Sequence, residues 1–134
     1  MRSVARLSSG STFETTAGYS RVVVVEHDGW TEALVSGTTG FDYARMSIED
    51  DVEAQTRQTF ANLAQALERV GMTLRDVVRV RYYLTDAADF ERLTPLFGEA
   101  FAEARPAATA IVCGLIDPRM KIEIEVDARK TASA

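Results

Sequence analysis

Lys121-Ile122-Glu123-Ile124-Glu125-Val126-Asp127-Ala128 alternates without a break. Ile122, Ile124, Val126 and Ala128 fall on one face, and Glu123, Glu125 and Asp127 on the other. A period of two marks a strand with one face in a core and one face polar. The same period runs from Val77 to Thr85, where Val78, Val80, Tyr82 and Leu84 share one face and Arg79, Arg81 and Tyr83 the other. The two polar faces carry opposite signs, which suits cross-strand pairing. A face of paired charges also suits packing against a second copy of the chain. The apolar faces need cover, so helices are expected on that side of the sheet.

That cover is legible on either side of Val77–Thr85. Val52, Thr56, Phe60, Leu63, Leu67 and Val70 recur at spacings of three and four, one apolar stripe on a helix. Ser47 is placed to cap it, with Glu49, Asp50, Asp51 and Glu53 against the positive end of its dipole. Gly71 follows as a left-handed stop. A second helix is expected from about Ala87 to Ala104, with Phe90, Leu93, Phe97, Phe101 and Ala104 as its stripe. Pro95 lacks a backbone donor and predicts a kink or a late start. Ser20 to Glu26 and Ala33 to Ser36 read as a hairpin joined at His27-Asp28-Gly29, with His27 at the surface. Val4 to Leu7 reads as an edge strand, and Thr109 to Leu115 as an apolar strand that buries Cys113. Gly37-Thr38-Thr39-Gly40 reads as the turn after the hairpin; it lacks the Lys of a phosphate loop. The expected order is β-β-α-β-α-β-β. That is one α+β domain over residues 1–134, a single sheet with two helices packed on one face.

A chain of 134 residues buries a sizeable core without disulfides or metal. Its 15 Lys and Arg face 20 Asp and Glu, a net charge of −5, which argues against a nucleic-acid partner, since phosphate binding needs clustered cations. The single Cys, Cys113, excludes an intrachain disulfide, and one Cys with one His excludes the usual zinc sets, so no metal is expected. Ser36 has no visible base partner for nucleophilic catalysis. Neither the N-terminus nor the Val22–Val25 run is long enough for a signal peptide or a membrane span. A cytoplasmic protein with no membrane partner is expected.

Three segments carry a resemblance. Gly18-Tyr19-Ser20-Arg21 precedes a Val-rich strand, and Val35-Ser36-Gly37-Thr38-Thr39-Gly40 ends the next. Arg105-Pro106-Ala107-Ala108-Thr109 is followed by Leu115 and Lys121-Ile122-Glu123-Ile124-Glu125. Gln55-Thr56-Arg57-Gln58 with Asn62, and Asp76-Val77-Val78-Arg79-Val80 with Tyr83-Leu84-Thr85-Asp86, lie between them. From about Ser8 to Arg129 the chain resembles the Rid family of reactive intermediate deaminases, also called the YjgF or endoribonuclease L-PSP family.

The resemblance implies a chorismate-mutase-like fold and a homotrimer whose sheets face inward, with small-molecule clefts between subunits and no cofactor. It implies hydrolysis of small imines and enamines, such as 2-aminoacrylate, to a keto acid and ammonia. It implies that Glu123 positions or activates water and that Tyr19 and Ser36 line the cleft. It also implies that the backbone at Thr109 and Ala110 lies near the substrate nitrogen, and it aligns a helical Asn of the family with Thr94. The family's carboxylate-binding Arg aligns with Ala108, so the resemblance is to a subgroup without that Arg. A methyl group cannot fork onto a carboxylate, and losing one such contact costs about 2–4 kcal/mol of binding. The implied activity is therefore metal-free water addition to a small imine, enamine or related C–N compound other than 2-aminoacrylate. A non-catalytic small-molecule-binding trimer is the alternative. An endoribonuclease or translation inhibitor, which the older family name suggests, fits the acidic balance poorly.

Overall fold

Burial follows the alternation of the last strand. Ile122, Ile124, Val126 and Ala128 are fully buried, while Glu123, Glu125 and Asp127 are half-buried on the opposite face. A computed structural model describes residues 3–132. In chain order the strands are β1 (Ser3–Leu7), β2 (Val22–His27), β3 (Trp30–Thr38), β4 (Phe41–Asp42), β5 (Ser47–Ile48), β6 (Val77–Leu84), β7 (Ala107–Val112) and β8 (Ile122–Thr131). Six of them form one sheet of order β1-β2-β3-β8-β6-β7, and β4 pairs with β5 in a separate ribbon. The sheet is mixed: β6 and β7 run parallel and every other neighbour runs antiparallel.

The helices are α1 (Thr12–Ala17), α2 (Val52–Glu68) and α3 (Asp89–Ala100). The stripes of α2 and α3 meet the apolar sheet face in a single core cluster. Phe60, Leu63 and Leu67 from α2, with Leu93 and Phe97 from α3, join Val80, Tyr82, Ile124 and Val126 there. Tyr82 stacks on Phe97 at 4.0 Å between ring centroids. The expected α+β arrangement, two helices on one face of a mixed sheet, is the observed one.

Several local expectations need correction. Ser47 does not cap α2; it pairs through β5 with β4, and the Asp51 side chain accepts from the Ala54 amide instead. Asp51 already has the extended backbone a cap requires, and Ser47 stands outside the helix. Pro95 lies inside α3; the Glu91 carbonyl that it cannot reach accepts from the Thr94 hydroxyl at 2.9 Å. Gly37 and Thr38 belong to β3 and not to a turn. Cys113 lies just past β7 and is partly exposed, because β7 is an edge strand with little cover. His27 ends β2 half-buried, stacked on Trp30 at 3.8 Å. Helix α1 answers to no expected element, although Ser11 caps it and Gly18 ends it in the left-handed region at φ 75.

One buried amide holds the loops that approach the polar face. Gln55 is fully buried on α2. Its Nε2 donates to the carbonyls of Glu49 and Arg119, each at 2.8 Å, and its Oε1 accepts from the Lys121 amide at 2.9 Å. These bonds tie α2 to its own leading segment and to the loop entering β8. Gly40 is required alongside, because a Cβ there would lie 2.6 Å from the Gln55 carbonyl oxygen. Gln55→Ala strips all three bonds and leaves buried groups unpaired, so urea unfolding at pH 7 is expected to show a loss of about 2–4 kcal/mol.

Candidate functional site

Strands β3 and β8 fall out of step once. Val35 pairs with Val126 and Thr38 with Ile124, so β3 carries an extra residue between these pairs. Such a bulge bends the strand and re-aims its side chains. Here it brings Ser36 and Gly37 into the wall of a cavity of about 650 Å³, which Glu123 and Glu125 also line. Helix α1 contributes Phe13 and Thr16, and the chain leaving it contributes Tyr19. Tyr43, Ile116 and Met120 complete an aromatic and aliphatic surround.

Arg21 precedes β2 and is the one basic residue among the described residues of that lining. Its side chain is 3% exposed and turned into the fold. Nη1 donates to the Gly37 carbonyl at 2.8 Å and to Thr38 Oγ1 at 3.1 Å, and Nη2 donates to Glu14 Oε2 at 3.4 Å. The guanidinium carbon sits 4.5 Å from the Tyr43 ring centroid. Nε is buried without an acceptor among the described residues. Burial alone would raise the Glu14 carboxyl. Hydrogen bonds from the Ser9 hydroxyl and amide, with the Arg21 charge, outweigh that and hold it below the usual value.

Glu123 is situated differently. Among the described residues no hydrogen bond or ion pair holds its carboxylate. Burial pushes the carboxyl above its ordinary value, the Glu125 charge adds to the effect, and Arg21 opposes it. Glu125 is engaged: it accepts from the Tyr83 hydroxyl at 2.7 Å and lies 3.7 Å from Arg81. Asp127 lies 4.0 Å from Arg81 as well, so Arg81 pairs with both carboxylates inside one chain. Glu123 thus escapes the cross-strand charge pairing that its neighbours share. Its seat depends on Gly37, since a Cβ there would lie 2.8 Å from the Glu123 carboxyl carbon.

Of the residues singled out from sequence, Tyr19, Ser36 and Glu123 come together at this cavity. Tyr19 is 39% exposed, and burial of the remainder raises its hydroxyl while the Arg21 charge opposes. The Ser36 hydroxyl is already committed, donating to the Ser20 carbonyl at 2.6 Å. Ala108, Thr109 and Ala110 are not brought there by a single chain. They stand exposed on β7, with β6 between them and β8. Thr94 faces away on the exposed surface of α3. Sequence reasoning gave no site role to Phe13, Gly37 or Tyr43, and it considered Arg21 only as a candidate replacement for the missing carboxylate-binding Arg, not as a buried cation. The signal for Arg21 was Glu14 seven residues earlier, which reaches it only because α1 intervenes.

Among the described residues no three His, Cys, Asp or Glu side chains are arranged to hold a metal ion. No helix among them is long and apolar enough to cross a membrane.

A single mixed sheet under two helices makes an α+β fold, with a ligand-sized cavity at a bulge beside the Glu123 carboxylate. The chain belongs to the endoribonuclease L-PSP family, which includes the YjgF and Rid proteins; the family model matches residues 9–130. It is similar to the crystal structure of Rv2704 from Mycobacterium tuberculosis, a member of the YjgF/YER057c/UK114 family. That similarity has a TM-score of 0.82 at 37% identity, over 94% of this chain and 98% of that one. RidA from an Antarctic Psychrobacter species is similar at a TM-score of 0.72 and 31% identity, over 82% and 86% of the two chains. A RutC family protein of Pyrococcus horikoshii is 36% identical over 83 residues, 62% of this chain. The match spans 66% of that relative's own length, just under two thirds.

Two outcomes follow from the Glu123 seat. Gly37→Ala should leave the fold intact, because the atoms it displaces end a flexible side chain, and a crystal structure of the variant should show the Glu123 carboxylate swung off its position. Glu123→Gln should stabilise the protein at neutral pH. A carboxyl whose folded pKa is raised binds protons more tightly folded than unfolded, so ionising it opposes folding. The gain should be full above the folded pKa and vanish as pH falls below the unfolded value of about 4.3, which urea unfolding across pH 3.5–8 will measure.

Proposed function

We propose that the protein is a metal-free hydrolase that adds water to a small imine, or to an enamine after tautomerisation. The observation that carries this reading is the Glu123 carboxylate, partly desolvated and without a partner at the cavity. Such a carboxylate holds a water as acceptor and takes its proton as the oxygen bonds to the imine carbon. The carbinolamine then collapses. Glu123 returns its proton to the nitrogen, the C–N bond breaks as the carbonyl forms, and the hydroxyl proton passes through the freed Glu123 carboxylate to the departing ammonia, giving ammonium. The balance is R₂C=NH₂⁺ + H₂O → R₂C=O + NH₄⁺. The raised proton affinity of Glu123 suits a group that must accept a proton and return it in one turnover.

The active unit in this proposal is a cytoplasmic homotrimer of a single-domain chain. Strand β7 supports it: Ala107–Val112 is an exposed sheet edge without a charged residue, and Ile111 and Val112 are 45% and 54% exposed. Ala108, Thr109 and Ala110 on that edge meet Glu123 only if they come from a neighbouring copy, which puts the cleft between subunits. With Ala108 at the wall, usual 2-aminoacrylate deamination is not the proposed reaction. A non-catalytic small-molecule-binding trimer is the second reading, favoured by the committed Ser36 hydroxyl and the uncharged Ala108.

Ammonia release from a panel of purified imines separates the two. The hydrolase reading expects turnover of at least one compound and a loss of about 10²–10⁴-fold in Glu123→Gln, the range for a missing acid–base group. Binding without ammonia release across the panel would favour the second reading. Sedimentation equilibrium at micromolar concentration should give three times the chain mass; a monomer would contradict the intersubunit cleft.

A further inference from the structure

We propose that the cavity takes a cationic ligand, an iminium or ammonium compound without a carboxylate. This rests on the cavity being the functional site, as argued above, and names the class of compound it accepts.

The charges around the cavity do not balance. The ionisable side chains of its lining are Arg21, Glu123 and Glu125 together with the hydroxyls of Tyr19 and Tyr43. Arg21 is neutralised by Glu14 and spends Nη1 on Gly37 and Thr38, so its charge is closed off from a ligand. Of its two remaining N–H groups, one on Nη2 and one on Nε, the Nε group is buried without an acceptor among the described residues, and the side chain as a whole is 3% exposed. A carboxylate entering the cavity would therefore meet two carboxylates and no free guanidinium. Glu125 has Tyr83 and Arg81, whereas Glu123 has neither. The neighbouring strand proposed to close the cavity supplies no cation either, because Ala107–Val112 carries no charged side chain. Within the described chain Glu123 has no ion-pair partner and feels Arg21 only at a distance, in a partly desolvated setting where attraction to a cation is stronger than in water.

The walls suit the same ligand. Tyr19, 39% exposed, contributes an aromatic ring to the wall, with the Arg21 guanidinium carbon 5.8 Å from its centroid. Phe13, Ile116 and Met120 offer apolar surface for a hydrocarbon body, and Ile116 is 91% exposed in the single chain. A bare carbon skeleton ending in C=NH₂⁺ places its charge at Glu123, and that charged carbon is also the most readily attacked by water.

The test compares three ring compounds of similar size by isothermal titration calorimetry on the assembled protein at pH 8. They are pyrrolidine, which is a cation there, neutral cyclopentanol, and cyclopentanecarboxylate. Pyrrolidine is expected to bind at least tenfold tighter than either of the others. Glu123→Gln should remove that preference by weakening pyrrolidine tenfold or more, with cyclopentanol affinity little changed. Glu125→Gln, if the first variant does not fold, should weaken pyrrolidine by a smaller factor. Equal or tighter binding of the carboxylate, no binding of pyrrolidine, or an unchanged preference in Glu123→Gln would each overturn the proposal. The outcome is separable from hydrolysis. Pyrrolidine has no C=N bond, so its preference stands or falls whether or not any imine releases ammonia. Ammonia release from anionic imines alone would keep the hydrolase and reject the cationic ligand.

Discussion

The Arg21 guanidinium is withdrawn from water, and the shape and charge of the cavity follow from that. Burying an unpaired charge costs several kcal/mol, so the fold must surround it with partners. Glu14 comes from α1, the Gly37 carbonyl and Thr38 hydroxyl come from the end of β3, and the Tyr43 ring comes from the segment between β4 and β5. These pieces are also the walls of the cavity. The contact that assembles the site therefore removes its own cation from use. Glu123 is left facing the cavity without a counter-charge.

That leftover charge stands out against the rest of the polar sheet face. Glu123 and Glu125 are two residues apart on one face of β8, roughly 7 Å along the strand. Glu125 and Asp127 are settled by Arg81, and Glu125 by Tyr83 as well. A fold selected only for stability would settle the third carboxylate too. Instead the β3 bulge and the bare Cα of Gly37 make room for it. Local departures of this kind, tolerated by a well-packed scaffold, are where functional chemistry is expected.

What was legible in the sequence was whatever repeats along it. The alternation of Val77–Thr85 and Lys121–Ala128 and the stripe of α2 are periodic, and burial follows the period except at the start of β6, where a register shift against β8 buries Val77 and exposes Val78, which the alternation had placed inside. Two helices on one sheet face could be read from those periods alone. Helix α1 is only six residues long, less than two turns, so it shows no period, although its cap and its stop glycine stand in the sequence. The bulge was invisible because register is a relation between two strands distant in sequence. Tyr19, Ser36 and Glu123 were named through family resemblance, and the structure gathers them at one cavity. Ala108, Thr109 and Ala110 were named in the same way, but their strand lies across the sheet. Under the trimer proposed above, their place in a site would belong to an assembly and not to one chain. The burial of Arg21 was hidden for a related reason: its partner Glu14 sits on the helix that had no visible pattern.

The central claim is that Glu123 is a carboxylate without a partner, beside another negative charge and partly out of water. Its own titration tests this most directly. Carbon-13 NMR of the glutamate side-chain carboxyl carbons, assigned by comparison with Glu123→Gln, should show Glu123 titrating above the ordinary glutamate range, and Glu125→Gln should lower it. A Glu123 carboxyl that titrates at or below the ordinary value, and does not respond to Glu125→Gln, would mean that an unseen cation or donor already holds it, and the account of the site would be wrong.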